Sequence, residues 1–509
     1  MPRNGNFLAR LEAKMRAAKD APAFETADGT ILTYAELLDQ VARAAAALKS
    51  LGLKPGDRVM AQVEKSLPSI YLYLATLKIG AVYNPLNSAY TAAELEYFIG
   101  DAEPKVIVAS AERIAEIEPA AAAHKVRSLL TMAPDGSGSF SELAAGQRPL
   151  RRTAKREPDD LASLIYTSGT TGRSKGAMIT HRNIASNAET LHVYWGFVPG
   201  DVLLHALPIF HVHGLFVALH TALLNGSRIL WMPKFDLEEL MRLLPRATVL
   251  MGVPTFYTRL LGSPAFAKDH CKSMRLFISG SAPLLPETHQ EFEARTGMRI
   301  LERYGMTEAG MITSNPYADG GRIAGSVGYA LPGIELRIAE PDGRVLTANE
   351  VGVLEMRGPN LFKGYWRNPE KTKEDFRDDG YFITGDLSTL DPDGRVTIVG
   401  RAKDLIISGG FNVYPKEIET EINALPGVGE SAVLGVPHPD FGEGVIAVIT
   451  PAAGATPPPE DQIIAALNER LAKFKCPKRV FTLAELPRNA MGKVQKADLR
   501  ARYGNLFKG

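Results

Sequence analysis

Cysteine is nearly missing from this chain. Only Cys271 and Cys476 occur among 509 residues. That excludes a disulfide framework and any cysteine-based zinc motif, and it fits a reducing compartment such as the cytoplasm. Net charge is nearly missing too: 58 Lys and Arg stand against 57 Asp and Glu. No global field therefore draws in nucleic acid or an acidic membrane surface. No apolar run is long enough to span a bilayer, so neither a nucleic-acid nor a membrane partner is expected. The opening MPRNGNFLARLEAKMRAAKD lacks the apolar core of a secretory signal. It is basic and mildly amphipathic, as organelle-targeting segments are, but it contains Glu12 and no Ser, and an ordinary first helix is expected. Internal repeats are absent.

What is present is ordinary globular material, 45% hydrophobic and 23% charged, with length for two or more domains. Strand and helix patterns alternate through "DRVMAQV", "KVIVAS", "SRILWMP", "ATVLMGVP" and "RLFISGSA". The expected fold class is α/β, with largely parallel buried strands. From about Ile334, short strands and turns ("ELRIAE", "GVLEMRG", "RVTIVG") predict a β-rich subdomain closing the large domain. A joint near Gly400 divides the chain into 1–400 and a small α+β domain, 401–509.

The stretch "YTSGTTGRSKG", Tyr166 to Gly176, follows the apolar run "LASLIY". Its glycines let the backbone approach a ligand. Thr167, Ser168, Thr170 and Thr171 add hydroxyl donors around Gly169 and Gly172, and Lys175 adds charge. This suits a polyphosphate. It is not a Walker A loop, because Ser174 rather than Gly precedes the lysine. "SGSAPL" ends a strand in small residues against which a flat base can lie. "ERYGMTE" offers Tyr304 for stacking on a purine and Glu308 as an oxygen ligand for Mg²⁺. Asp386 can bind the two hydroxyls of a ribose, and Arg401 follows it, whereas Asp391 and Asp393 belong to a D-P-D-G turn. Lys493, in "LPRNAMGKVQK", can swing into a site and neutralise developing charge. His205, His211 and His213 have no Cys or carboxylate close in sequence and are expected to line a pocket rather than hold a metal. "GVGESA" follows a helical pattern and is no dinucleotide motif.

Four of these stretches, in order, resemble the adenylate-forming superfamily of acyl-CoA synthetases, luciferases and peptide-synthetase adenylation domains. They are "YTSGTTGRSKG", "ERYGMTE", "YFITGD…GR" and "PRNAMGK", and the resemblance covers nearly the whole chain. It implies adenylation of a carboxylate by ATP, rotation of the small domain, and transfer of the acyl group to coenzyme A. By motif, Lys493 and Glu308 are catalytic. The loop from Thr167 to Gly172 with Lys175, the segments Gly280–Ala282 (with Ser281) and Glu302–Thr307 (Arg303, Tyr304, Gly305 and Met306 between), Asp386 and Arg401 bind ATP. Thr170 and Glu308 serve Mg²⁺, and Lys403 is the hinge. Ser408, Gly409, Gly410 and Phe411 border the pantetheine tunnel of coenzyme A.

The strings "FHVHGLF", "GVPTFYTRL" and "SGSAPL" resemble malonyl-CoA synthetases in particular. That implies His213, Arg259 and Ser281 as contacts of malonate's distal carboxylate, and Arg303, at a position of "ERYGMTE" often filled by Gly in aryl-acid relatives, is a further candidate. A buried guanidinium is costly unless paired, and Arg259 is expected to be the buried charge that a second substrate carboxylate pairs. Methylmalonate, larger by one methyl, is a second candidate. The alternatives are another short or aryl acid, or a nucleotide-binding protein without catalysis. In bacterial relatives the "PRNAMGK" lysine is a target of acetylation, so an acetyltransferase and a deacetylase acting on Lys493 are expected partners. The chain is expected to be a monomer or a weak homo-oligomer.

Overall fold

The computed structural model describes residues 4–167, 174–409, 411–489 and 492–507. The sequence-predicted Ser168, Gly169, Thr170, Thr171, Gly172 and Gly410 lie outside the described residues.

Short apolar strands alternating with helices give the expected α/β layering. A six-stranded sheet runs Ser128–Thr131, Val106–Ala109, Arg58–Gln62, Val82–Pro85, Leu161–Thr167, Lys175–Thr180. It is parallel except for its last pair, a hairpin in which Thr167 faces Lys175. Two of its inner strands, Val82–Pro85 and Val106–Ala109, are buried throughout, as strands covered by helices on both faces must be.

The second sheet has 13 strands among the described residues. One half is parallel, including Val202–His205, Arg228–Trp231, Val249–Gly252 and Leu276–Ser279. The other half, with Glu335–Ala339, Gly352–Arg357, Phe382–Leu390 and Arg395–Arg401, is antiparallel. The strand Ile300–Met306 joins them. It pairs parallel with Leu276–Ser279 on one side and antiparallel with Gly310–Ser314 on the other. The β-rich region predicted after Ile334 is therefore a hydrogen-bonded continuation of the parallel sheet and not a separate sheet. Asp391 caps its D-P-D-G turn by accepting from the backbone N–H groups of Asp393 and Arg395.

A third, five-stranded sheet is built from strands between Ile406 and Thr482. It carries two apolar clusters of its own, around Val433 and Leu434. Among the described residues, no helix is long and apolar enough to cross a membrane.

The first helix, Phe7–Ala17, is integral to the large core. Asn6 caps it, and Phe7, Leu8, Leu11 and Met15 are buried. Glu12 on the same face pairs with Lys78, also buried, at 2.5 Å, and Lys78 donates a second bond to Thr153. Removing one member of such a pair strands a charge in a low-dielectric interior. Glu12→Ala is expected to lower stability by about 3–5 kcal/mol, while Glu12→Leu with Lys78→Met costs far less. Denaturant midpoints of the two variants check this.

Candidate active site

The carboxyl ends of the parallel strands carry the sequence-predicted residues, as expected where ligands bind in open α/β sheets. Leu276–Ser279 runs into Gly280 and Ser281. Ser281 sits at φ 72°, a left-handed conformation costly for a residue with a Cβ. Its Oγ lies 3.1 Å from Nδ1 of His213. His213 opens the π-helix His213–Ala218, and such irregular turns recur at functional sites.

Arg303 is the dominant charge of this region. It projects from Ile300–Met306 and is 3% exposed. A Cβ on Gly280 would lie 2.5 Å from the guanidinium carbon, so only glycine leaves the arginine its place. Among the described residues no carboxylate pairs with Arg303, and its Nε and Nη2 have no hydrogen-bond partner. Burial pushes its pKa down to about 9. His213, fully buried, is held well below the ordinary histidine range by burial and then by Arg303. The Ser281 hydroxyl lies within hydrogen-bond reach of Nδ1, and Nε2 of His213 lacks a partner. Two buried guanidinium donors are therefore left without an acceptor, a costly arrangement that an anion relieves.

Arg259 is placed differently from the sequence expectation. The helix Pro254–Gly262 buries Phe256, Tyr257, Leu260 and Leu261. Position 259 falls off that stripe, so its side chain is exposed. Its guanidinium carbon stands 5.2 Å above the Phe235 ring. The buried cation is Arg303.

A second group of residues converges from other elements. Tyr304 donates to Asp386 at 2.5 Å, and Arg401 lies 3.1 Å from the other carboxylate oxygen, because Asp386 and Arg401 are register partners. Burial, then Asp386, pushes the Tyr304 hydroxyl well above its usual range. Glu308 is buried, and that burial raises its pKa. Tyr365 donates to it at 3.2 Å. Tyr365 is delivered by a segment bridged to Ala177, which also sets it 5.3 Å beneath Lys175. A Cβ on Gly305 would meet the Gly310 carbonyl at 2.1 Å, so the turn through Met306 and Thr307 requires glycine there.

Lys493 reaches this group from the small sheet's side of the molecule. Its hairpin is closed by Asn489, which accepts from the Lys493 backbone N–H. Gly492 lies against Thr255, whose methyl would be 3.6 Å from a Cβ at position 492. Burial, then Arg401, lowers the pKa of Lys493 to about 8, with Asp386 and Glu308 opposing. His211, pushed down to about 3 by burial and then by Lys493, lies nearby.

Other predicted residues stand apart. The Glu302 carboxylate accepts from the Gly325 N–H at 3.1 Å and lies 3.1 Å from His289, buried within the scaffold. Ala282 is half-buried beside Ser281. Ser408 is buried, Gly409 donates to the Phe441 carbonyl, and exposed Phe411 stacks on Phe474. Lys403 lies on the turn Ala402–Asp404, and burial lowers its pKa. His205, His211 and His213 lie close to one another, the His213 backbone N–H donating to His211 Nδ1 at 3.2 Å, and no group of three side chains placed to hold a metal occurs among the described residues. Sequence reasoning missed Tyr365, whose only local signal is a position between an apolar segment and Trp366.

Gly280→Ala tests the Arg303 seat. The added methyl overlaps the guanidinium, and a loss of about 1–3 kcal/mol is expected from overpacking. Equilibrium unfolding measures it, and an unchanged midpoint contradicts the packing described.

Residues 11–366 match the family "AMP-binding enzyme", and residues 417–493 match "AMP-binding enzyme C-terminal domain". A feruloyl-CoA synthase of Amycolatopsis sp is 36% identical, over 94% of this chain and 95% of that protein. A malonate–CoA ligase of Arabidopsis thaliana is also 36% identical, over 90% of this chain and 80% of that protein. Among solved structures, ATP-bound MatB from Rhodopseudomonas palustris is 55% identical with a TM-score of 0.96, over 99% of this chain and all of that one. The same protein without ligand superposes at 0.85, with 99% of this chain and all of that one covered. The chain is a member of the AMP-binding enzyme family of acid–thiol ligases.

Proposed function

We propose that this chain joins malonate to coenzyme A, converting ATP to AMP and pyrophosphate through a malonyl-adenylate. The observation that carries the reading is the Arg303–His213 pair with its unpartnered buried donors. A dicarboxylate supplies the missing acceptors with its far end while its near carboxylate attacks the α-phosphate. A guanidinium can hold a carboxylate bidentately. Acetate leaves the same donors unpaired, and a site of this kind rejects such an analogue by about 10⁴-fold. An aryl acid meets the same charge. Methylmalonate differs by a methyl worth about 1–3 kcal/mol either way. Arg259, exposed, is assigned the outer side of the acid pocket. The malonate–CoA ligase of Arabidopsis and the likeness to MatB support the reading.

The remaining residues supply the nucleotide chemistry. Asp386, held by Tyr304 and Arg401, suits a ribose diol. The loop closed by Thr167 and Lys175 suits the β- and γ-phosphates. A single buried carboxylate, Glu308, fits Mg²⁺ that arrives on the nucleotide and keeps phosphate and water ligands. Bound there, Mg²⁺ would neutralise charge on the transferring phosphoryl group. Lys493 places its ammonium beside Asp386 and Glu308 to stabilise charge at the α-phosphate. The higher similarity to the ATP-bound form of MatB agrees with that placement. For the second step the domain after residue 400 turns about Lys403, withdraws Lys493 and brings Ser408, Gly409 and Phe411 toward the thiol of coenzyme A. An acetyl group on Lys493 would remove the charge. Since Lys493 is enclosed in this arrangement, an acetyltransferase would act on the withdrawn form.

An acid panel assayed for AMP release with ATP, Mg²⁺ and coenzyme A tests the function. Malonate is expected to exceed acetate, butyrate and benzoate, and equal turnover of acetate overturns the reading. Arg303→Met should lower kcat/KM for malonate by about 10³-fold. Arg259→Gln should change it no more than about fivefold, since solvent screens an exposed pair. Protonated Lys493 is the active form, and its pKa is lowered to about 8. Adenylation kcat/KM should therefore fall as pH rises through that value. A pH profile flat to 10 would exclude Lys493 as the charge required.

A further inference from the structure

We infer that Lys65, remote from the nucleotide residues, is a positioning residue for the acid pocket, acting through His205 on the π-helix that carries His213. This rests on the malonate reading for its kinetic consequence, though not for its structural one.

Lys65 lies between the strand Arg58–Gln62 and the helix Leu67–Lys78, and is 9% exposed. Among the described residues no carboxylate pairs with it. Its Nζ donates to three neutral acceptors: His205 Nδ1 at 3.0 Å, the His205 carbonyl at 2.9 Å and the Met232 carbonyl at 2.6 Å. It also sits 4.2 Å above the Trp231 ring. These acceptors satisfy an ammonium's three donors with correct geometry, so burial of an amine here is tolerated without a counter-ion.

The geometry has a direction. Burial works against the charged form of Lys65, but while it is protonated it can only donate, so His205 Nδ1 then accepts and the ring proton sits on Nε2. Nε2 lies 2.9 Å from the Gly214 carbonyl and donates to it. That same carbonyl accepts the backbone N–H of Leu219, five residues on, which is the wide turn of the π-helix. Only glycine fits at position 214, since a Cβ there would lie 2.1 Å from the Pro208 carbonyl. Protonated Lys65 thus selects one tautomer of His205, and His205 pins the turn whose first residue, His213, lies within the electrostatic reach of Arg303. Were His205 in the other tautomer, a lone pair would face the Gly214 carbonyl and the turn would lose its tether. A lysine that merely filled space would need neither the His205 contact nor the onward bond.

Two readouts test the inference. In ¹⁵N-histidine spectra of the full-length protein, His205 is expected to be the neutral Nε2–H tautomer. An Nδ1–H tautomer or an imidazolium overturns the proposal whatever acid the enzyme takes. In kinetics, Lys65→Met should raise the KM for malonate about tenfold, the cost of one lost buried bond, with KM for ATP within about twofold. A malonate KM that stays within twofold, or an ATP KM that rises in parallel, overturns it. Should Lys65→Met not fold, His205→Gln, whose amide can still donate to Gly214, should keep a malonate KM well below that of His205→Leu. Equal values for the two count against the inference. Wild-type protein inactive on malonate but active on another acid would defeat the substrate reading alone, since the tautomer measurement would stand.

Discussion

An arginine buried without an acidic partner among the described residues is the constraint around which the ends of the parallel strands are arranged. Desolvating a guanidinium is costly, and among the described residues Arg303 has a glycine to lie against and the uncharged His213, His211 and Tyr257 near it, but no carboxylate. The surrounding features follow from keeping that charge in place and keeping His213 uncharged. Gly280 clears the space. Ser281 accepts a left-handed backbone so that its hydroxyl can meet His213. The strand carrying Arg303 is the one at which the large sheet changes from parallel to antiparallel pairing, so Arg303 sits where the two differently built halves meet.

Beside this cationic pocket lies a site of opposite design, in which acids and bases are paired. Asp386 is held between Tyr304 and Arg401, and Glu308 is bonded by Tyr365. Lys493 adds a cation from the small domain's side, and its lowered pKa reflects enclosure among groups of both signs. The contrast separates two tasks. The paired site has its charges balanced within the protein and fits the nucleotide role proposed for it. The donors of Arg303 have no such balance, and the proposed dicarboxylate would supply it.

The comparisons agree with this division. Relatives of similar identity are named for feruloyl and for malonate, and so the family likeness by itself leaves the acid open. What narrows it is the burial of one arginine.

The four motifs and their order were legible in the sequence, because a phosphate loop, a ribose carboxylate and a mobile lysine need particular residues at close spacing. Strand and helix order was legible too, from apolar runs broken by turns. The identity of the buried cation was not. Arg259 and Arg303 both follow apolar segments, and only the phase of the helix Pro254–Gly262 against its neighbours turns one outward while the strand turns the other in. The same holds for Glu302, which shares a motif with Tyr304 and Glu308 yet bonds His289 and Gly325 in the scaffold, and for Lys65, whose partners lie 140 and 167 residues away. Local spacing determined which chemistry this chain can perform. Which side chains lose their water, and so which charges demand a ligand, was decided by long-range packing alone, since desolvation depends on every element that closes over a group.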